Sequence, residues 1–198
     1  MACDDLLVDR IPALAHAPRL SLRRWELGDA EALNAAVFES LEHLRPWMPW
    51  AKFEPLTLDA RHALIRDWDS AWEAGGDLVL GAFDGDAIVG GCGLHMRTPP
   101  DALEIGYWVH VAHVRLGYAT EMSAALTDLA FGIDEIERVE IHHDKANVAS
   151  AGVPRGLGFE LLSETPDQIT APGESGVDCA WVVTREAWAT RRPRAREG

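Results

Sequence analysis

The spacing of hydrophobic positions changes several times along the chain, which predicts alternating strands and helices. Strict alternation and β-branched runs indicate strands, whereas apolar residues three and four positions apart indicate helices. The predicted strands cover residues 20–25, 78–83, 87–97, 103–109, 138–143, 160–164 and 179–184. Predicted helices begin after Asp29, after Thr57 and near Tyr118, and a short or late-starting helix containing Gly152 and Pro154 precedes residue 157. This order indicates an α/β or α+β domain.

One stretch, residues 103–122, joins a strong strand pattern to a helix pattern through a glycine turn. A helix that starts after such a turn presents unpaired backbone N–H groups, and its dipole favours an anion such as phosphate. Gly117 and Ala119 would let the backbone approach a ligand closely. The alternative is that the glycine serves only the geometry of the turn.

Two tryptophans stand in the loop that follows the first predicted helix. Pro46 and Pro49 cannot continue that helix, and Trp47 and Trp50 lie beside them. Large aromatic residues often fill gaps in a core. The alternative is that they form a wall of a substrate cleft.

Composition indicates one globular domain without a membrane span. The 198 residues are enough to bury a sizeable core, and no apolar run reaches the roughly 18 residues that a span needs. The start of the chain lacks signal-peptide features, and three scattered cysteines fit reduced thiols, so we expect a cytoplasmic protein. We predict a lead-in over residues 1–19, a single domain over 20–188 and a basic, disordered tail over 189–198.

Charge narrows the possible partners. The formal net charge is −14, which argues against nucleic acid because phosphate contacts need a basic surface. An acidic surface suits a cationic partner, such as an amine or a basic peptide. No pair of cysteines has the spacing of metal ligands, and we expect no metal.

Several motifs resemble the GNAT N-acetyltransferases, and most closely the RimJ/RimL type that acetylates protein N-termini. The motifs are Glu104-Ile105-Gly106-Tyr107-Trp108, Gly117-Tyr118-Ala119-Thr120-Glu121, the pair Asn147 and Ser150, Leu157-Gly158-Phe159, and Trp47-Met48-Pro49-Trp50. The resemblance covers roughly residues 20–188. It implies a GNAT fold, which is a central mixed, mostly antiparallel sheet of six to seven strands flanked by about four helices and splayed at the acyl-CoA loop.

The resemblance also implies acetyl-CoA as co-substrate and a set of residues that would hold it. These are Val109, His110, Val111, Val114, Arg115, Leu116, Gly117, Tyr118, Ala119, Thr120, Asn147 and Ser150. The loop from Arg115 to Thr120 would hold the pyrophosphate, and a backbone N–H near Val109 to Val111 would stabilise the oxyanion. The family pattern has arginine or glutamine where this chain has Val114. By the same resemblance, Trp47, Trp50 and Tyr107 would bind the acceptor.

Acetyl transfer to an amine needs a base for the amine and a proton donor for the departing thiolate. The resemblance makes Glu104 the candidate base. A structural role for Glu104, or a histidine base, is the alternative, and the histidines in question are His95, His110, His113, His142 and His143. Ser150 is the candidate donor to the sulfur, because Pro154 stands where many relatives have a tyrosine. Simple helix capping is the alternative for Asn147 and Ser150.

The acceptor is the least determined part of this prediction. A protein or peptide N-terminus is favoured by resemblance, and a small amine such as a polyamine, an amino sugar or an antibiotic is the alternative. A different acyl group, such as succinyl, stays open. Other possibilities are a non-catalytic acyl-CoA-binding module and an unrelated α/β domain with a chance loop. A homodimer is possible, and neither a membrane nor a nucleic-acid partner is expected.

Overall fold

The computed structural model describes residues 14–97 and 101–191, in which eight strands form one sheet flanked by five α-helices. The strands are β1 Leu14–His16, β2 Ser21–Arg24, β3 Leu78–Asp84, β4 Ala87–His95, β5 Ala102–Val109, β6 Arg138–Asp144, β7 Glu160–Pro166 and β8 Val177–Thr184. The helices are α1 Ala30–Leu44, α2 Leu58–Glu73, α3 Tyr118–Ala130, α4 Val148–Leu157 and α5 Arg185–Arg191. Within these described ranges, no helix is long and apolar enough to cross a membrane.

The sheet separates into two parts between β5 and β6. The strand order is β1-β2-β3-β4-β5-β6-β8-β7, and β5 and β6 are the only parallel neighbours among the described strands. Their pairing stops at Glu104↔Glu140. Beyond that point β5 stays paired with β4 as far as Val109, and β6 stays paired with β8 as far as Asp144. A gap therefore opens between β5 and β6, where the sequence predicts the splay.

Two hydrophobic clusters hold the helices against opposite faces of the sheet. On one face, α1 and part of α2 pack through residues such as Leu41 and Ile65 against Trp25 and Phe83. On the other face, α3 buries Met122 and Leu126 in the larger cluster, which also includes residues of α4 and α5. We refer to these as the α1 face and the α3 face. Because strand side chains alternate, consecutive residues of β5 point to different faces.

Helix α4 is longer than the sequence predicts. It begins at Val148, directly after its cap Asn147, and runs for 10 residues through Gly152 and Pro154. Pro154 cannot donate to the carbonyl of Ser150, four residues earlier. The hydroxyl of Tyr107 on β5 lies 3.4 Å from that carbonyl oxygen and 2.8 Å from Oγ of the same serine. The start of the helix is therefore in contact with a neighbouring strand at the residue whose carbonyl lacks its helical donor.

Two short elements differ from the sequence prediction. Strand β1 lies inside the predicted lead-in and pairs with β2, so the sheet has eight strands instead of six or seven. Helix α5 extends into the predicted tail, with Trp188 buried. At its start, Arg185 donates to the carbonyls of Phe131, Ile133 and Ile136. The rest of the predicted lead-in and tail, residues 1–13 and 192–198, and the predicted turn at 98–100 lie outside the described residues.

Candidate functional site

The gap between β5 and β6 opens into a cavity of about 1020 Å³. Its lining comes from both faces of the sheet. Trp47 and Met48 contribute from the segment after α1, and Ala149 and Ser150 contribute from α4. A ligand that enters the cavity from one face of the sheet could therefore reach a ligand that enters from the other face.

Part of the backbone of β5 faces this gap. The N–H of His110 donates to the carbonyl of Val89 across 2.9 Å, so the even-numbered backbone groups of β5 point to β4 and the odd-numbered ones point to the gap. The N–H of Val111 donates to Ser40 Oγ at 3.1 Å. The predicted oxyanion donor near Val109 to Val111 therefore narrows to Val109, because the other two N–H groups already have partners.

The loop before α3 has the geometry of an anion site. Arg115 and Gly117 both have left-handed backbone conformations, with φ of 62° and 85°. The first backbone bond of the helix runs from the N–H of Glu121 to the carbonyl of Gly117. The N–H groups of Tyr118, Ala119 and Thr120 precede this bond and carry the positive end of the helix dipole. A Cβ added at Gly117 would lie 3.5 Å from Arg19 Nη2, which is ordinary contact, so the left-handed φ is the main constraint on this position.

This loop is held from behind by Arg19 and Asp84. The guanidinium of Arg19 donates to the carbonyl of Leu116 at 2.7 Å and lies 4.4 Å above the ring of Tyr118. The hydroxyl of Tyr118 donates to Asp84 at 2.5 Å. Among the predicted loop residues, Val114, Arg115, Gly117, Tyr118, Ala119 and Thr120 line the cavity. Leu116 is half exposed and faces elsewhere.

On the α3 face, a tyrosine on β5 meets the start of α4. Tyr107 Oη lies 2.8 Å from Ser150 Oγ. Burial raises the pKa of Tyr107 to about 12, against a smaller opposing effect of the Ser150 hydrogen bond. The side chain of Asn147 accepts from the N–H of Ser150 at 3.1 Å, so its carboxamide oxygen caps α4. Both Asn147 and Ser150 line the cavity.

On the α1 face, Glu104 stands where β5 and β6 separate. It shares its face with Trp108, which packs against the α1 cluster. Its carboxylate lines the cavity and has a long contact of 3.5 Å with Arg97 Nη1. The side chain is 16% exposed, so it is accessible from the cavity and only partly solvated. Glu104 and Ser150 thus border one cavity from opposite faces of the sheet.

The five histidines proposed as alternative bases differ in their surroundings. His143 accepts from Trp181 Nε1 at 2.9 Å and contacts the carbonyl of Asp144 at 2.8 Å, so both its nitrogens are used. His95 contacts Asp77, and His110 contacts Glu39. His113 lines the cavity beside the rings of His110 and Tyr118.

His142 is held between two carboxylates, Asp178 at 2.9 Å and Glu140 at 3.0 Å. The hydrogen bond to Asp178, followed by the one to Glu140, raises the pKa of His142 to about 9 against the effect of burial. A histidine with this pKa carries a proton at neutral pH. It is therefore a cation beside Glu104 rather than a free base.

The two predicted acceptor tryptophans lie in different surroundings. Trp47 lines the cavity. Trp50 packs against the α1 cluster and meets the ring of Trp108 edge-on at 6.3 Å. Trp47 therefore stands at the cleft, whereas Trp50 is partly buried beside the core. Acceptor binding by Trp47, Trp50 and Tyr107 stays a prediction.

Residues 19–160 match the family described as "Acetyltransferase (GNAT) domain". This chain belongs to the GNAT acetyltransferases. The structure resembles "RimL- Ribosomal L7/L12 alpha-N-protein acetyltransferase" in complex with coenzyme A, at 19% identity and a TM-score of 0.78, over 89% of this chain and 98% of that one. It resembles Mycobacterium smegmatis RimJ in complex with CoA-disulfide, at 21% identity and a TM-score of 0.74, over 87% and 86% of the two chains.

A third similar structure is the "Microcin C7 self immunity acetyltransferase MccE" in complex with acetyl-CoA and AMP. It is 18% identical, with a TM-score of 0.77, over 84% of this chain and 93% of that one. A search of the curated proteins finds no significant match. The family assignment excludes an unrelated α/β domain with a chance loop, and it makes the chain an acetyltransferase that uses acetyl-CoA.

The site of this GNAT acetyltransferase suits acetyl-CoA. The N–H groups at the start of α3 fit a pyrophosphate, and the odd-numbered backbone groups of β5 offer partners for an amide-containing arm. No group of three or more His, Cys, Asp or Glu side chains in residues 14–97 and 101–191 is placed to hold a metal. The expectation that no metal takes part stays a prediction.

The sequence prediction missed one whole wall of the cavity. Asp167, Gln168 and Glu174 line it from the loop between β7 and β8. The carboxylate of Asp144 holds the end of this loop, since it accepts from Ser175 Oγ and from the N–H groups of Gly176 and Val177. This loop reads as an ordinary turn-rich connection in the sequence, and its partners are distant in the chain.

Proposed function

We propose that this enzyme transfers the acetyl group of acetyl-CoA to a primary amine, with a protein or peptide N-terminus as the acceptor class. One observation carries the proposal. Glu104 and Ser150 line the same cavity from opposite faces of the sheet. An amine entering from the α1 face reaches Glu104 first, while a thioester entering from the α3 face lies near Ser150.

The side chains divide the chemistry between them. Bound acetyl-CoA supplies a thioester carbon that an amine nitrogen can attack. The Glu104 carboxylate accepts the proton that the amine must lose, directly or through water. The N–H of Val109 faces the gap and donates to the carbonyl oxygen as charge develops there. The hydroxyl of Ser150 donates to the departing sulfur.

The charge around the cavity favours a cationic acceptor. Its acidic lining comprises Glu104, Asp144, Asp167, Glu174 and Asp178, whereas its cations are Arg97, Arg115 and the protonated His142. An α-amine has a pKa near 8 and a lysine side chain near 10. A carboxylate is a weak base, so the α-amine is the acceptor that needs less help. The similar RimL structure is that of an alpha-N-protein acetyltransferase, which agrees with this acceptor class.

A small amine is the second candidate, because the same acidic lining would attract it. The test supplies acetyl-CoA with three acceptors in parallel: a peptide with a free N-terminus and no lysine, the same peptide with a blocked N-terminus and one added lysine, and a polyamine. Thiol release and mass spectrometry report turnover and the modified group.

We expect acetylation of the free N-terminus at a kcat/KM at least about tenfold above that for the other two acceptors. Faster turnover of the polyamine would replace the peptide acceptor with the small-amine one. Acetylation confined to the lysine peptide would overturn the N-terminal assignment.

A further inference from the structure

The hydroxyl of Tyr107 lies on the α3 face beside Ser150, and the acetyl transfer proposed above gives it no role. Tyr107 lies on β5 in the stretch that faces the gap, and its ring packs against the larger core cluster. Its Oη lies 2.8 Å from Ser150 Oγ and 3.4 Å from the carbonyl oxygen of the same serine. One phenol therefore contacts both oxygens of one residue.

Either atom of the 2.8 Å pair can be the donor, and the phenol has one proton. The 2.8 Å contact with Ser150 Oγ has an ordinary hydrogen-bond length, whereas the 3.4 Å contact with the carbonyl is long. Pro154 has no N–H, so the carbonyl of Ser150 lacks the helical donor that position 154 would otherwise supply. When Tyr107 donates to Ser150 Oγ, the hydroxyl proton of Ser150 is free to point into the cavity.

We propose that Tyr107 is a positioning residue that donates to Ser150 Oγ and so fixes Ser150 as the hydrogen-bond donor to the departing sulfur. The inference rests on the acetyl transfer proposed above. In that transfer a C–N bond forms as the C–S bond breaks, the C–S electron pair leaves on sulfur, and the proton of the amine passes to Glu104. Tyr107 keeps its own proton throughout, as burial favours.

A purely structural role makes a different prediction, because Tyr107 could serve only to satisfy the carbonyl of Ser150. Pro154→Ala separates the two roles, since it restores an N–H at position 154 that can donate to that carbonyl. The side chain of residue 154 is not part of the cavity lining. The double variant Tyr107→Phe/Pro154→Ala therefore repairs the helix and still lacks the phenol.

The experiment measures thiol release from acetyl-CoA with water as acceptor and with an amine, together with acetyl-CoA affinity by calorimetry. Hydrolysis needs the same leaving group but no acceptor site, so it tests Tyr107 even if the peptide assignment is wrong. We expect Tyr107→Phe to lower kcat about tenfold, the effect of one lost hydrogen bond, with affinity and KM within about twofold. The Pro154→Ala background should not restore the rate.

Ser150→Ala supplies the second control. If Tyr107 acts through Ser150, Tyr107→Phe has no further effect on kcat once Ser150 is alanine. Full rescue by Pro154→Ala, or an undiminished tenfold loss in the Ser150→Ala background, would overturn the positioning role. Normal hydrolysis of acetyl-CoA without peptide acetylation would overturn the peptide acceptor class alone. If the wild type releases no thiol with either water or an amine as acceptor, both the proposed acetyl transfer and the role of Tyr107 are overturned.

Discussion

The backbone N–H of Gly173 donates a hydrogen bond of 2.9 Å to the carbonyl of Pro46. This bond joins the loop between β7 and β8 to the segment after α1, which carries Trp47. The two segments are far apart in the chain, and both contribute lining residues to the cavity. They therefore form one continuous wall on the α1 face, where the acceptor would enter.

A side chain at position 173 should separate these two segments. A Cβ there would lie 2.7 Å from the Pro46 carbonyl oxygen and 2.9 Å from Pro46 Cβ, and close-packed neighbours cannot absorb such an overlap without moving. We expect Gly173→Ala to raise the KM for the amine about three- to tenfold while acetyl-CoA affinity is unchanged. Gly28→Ala, where a Cβ meets nothing within 4 Å, should alter neither. Weaker acetyl-CoA binding by Gly173→Ala would contradict the assignment of this wall to the acceptor.

Replacement of the candidate base should slow chemistry without weakening acetyl-CoA binding. General base catalysis by a positioned side chain contributes roughly 10²–10⁴-fold, so we expect Glu104→Gln to lower kcat by at least about 100-fold. Because the variant removes a group needed to deprotonate the amine, its loss of activity should shrink as the pH rises towards the pKa of the acceptor. Steady-state kinetics across pH, with exposed Glu31→Gln as control, test this. If the kcat of Glu104→Gln is within threefold of the wild-type value, Glu104 has a structural role and is not the base.

Replacement of Gly117, the glycine before α3, should weaken acetyl-CoA binding as well as lower stability. Gly117 and Gly75 have nearly the same left-handed φ, 85° and 81°, so alanine at either position should cost the fold roughly 1–2 kcal/mol. Only Gly117 borders the cavity. We expect Gly117→Ala to weaken acetyl-CoA binding about tenfold or more by calorimetry and Gly75→Ala to leave it unchanged. Equal affinities in the two variants would place the pyrophosphate elsewhere.

The protonated His142 should make stability depend on pH. Its folded pKa, about 9, lies above the ordinary 6.5, so its contribution is complete below pH 6.5 and is lost as the pH rises through 9. Between these values the free energy of unfolding should fall by up to roughly 1.4 kcal/mol per pH unit. Urea denaturation across this range should show a flatter profile for His142→Asn than for the control His43→Asn. An NMR titration should find a lower His142 pKa in Asp178→Asn, and an unchanged pKa would contradict the assigned cause.

Much of the fold could be predicted from local patterns. Most strands and helices follow from short-range periodicity, and the turn at Gly117 follows from a residue that tolerates a left-handed φ. The length of α4 could not be predicted, because Pro154 is a poor helix residue and the contact between Tyr107 and Ser150 comes from a distant strand. The edge strand β1 and the short helix α5 were missed for a similar reason, since tertiary pairing and the burial of Trp188 sustain them.

The sequence by itself determined the order of the elements, the glycine turn before α3 and, through its resemblance, the acetyltransferase family. These features depend on neighbours within one turn or one strand, which local spacing records. Only the tertiary structure decided that Trp47 lines the cleft while Trp50 packs against the core, that His142 lies between Glu140 and Asp178, and that Tyr107 contacts Ser150. Each of these depends on which groups the splayed sheet brings together from distant parts of the chain, and burial and hydrogen bonding across such distances leave no periodic signal in a single sequence.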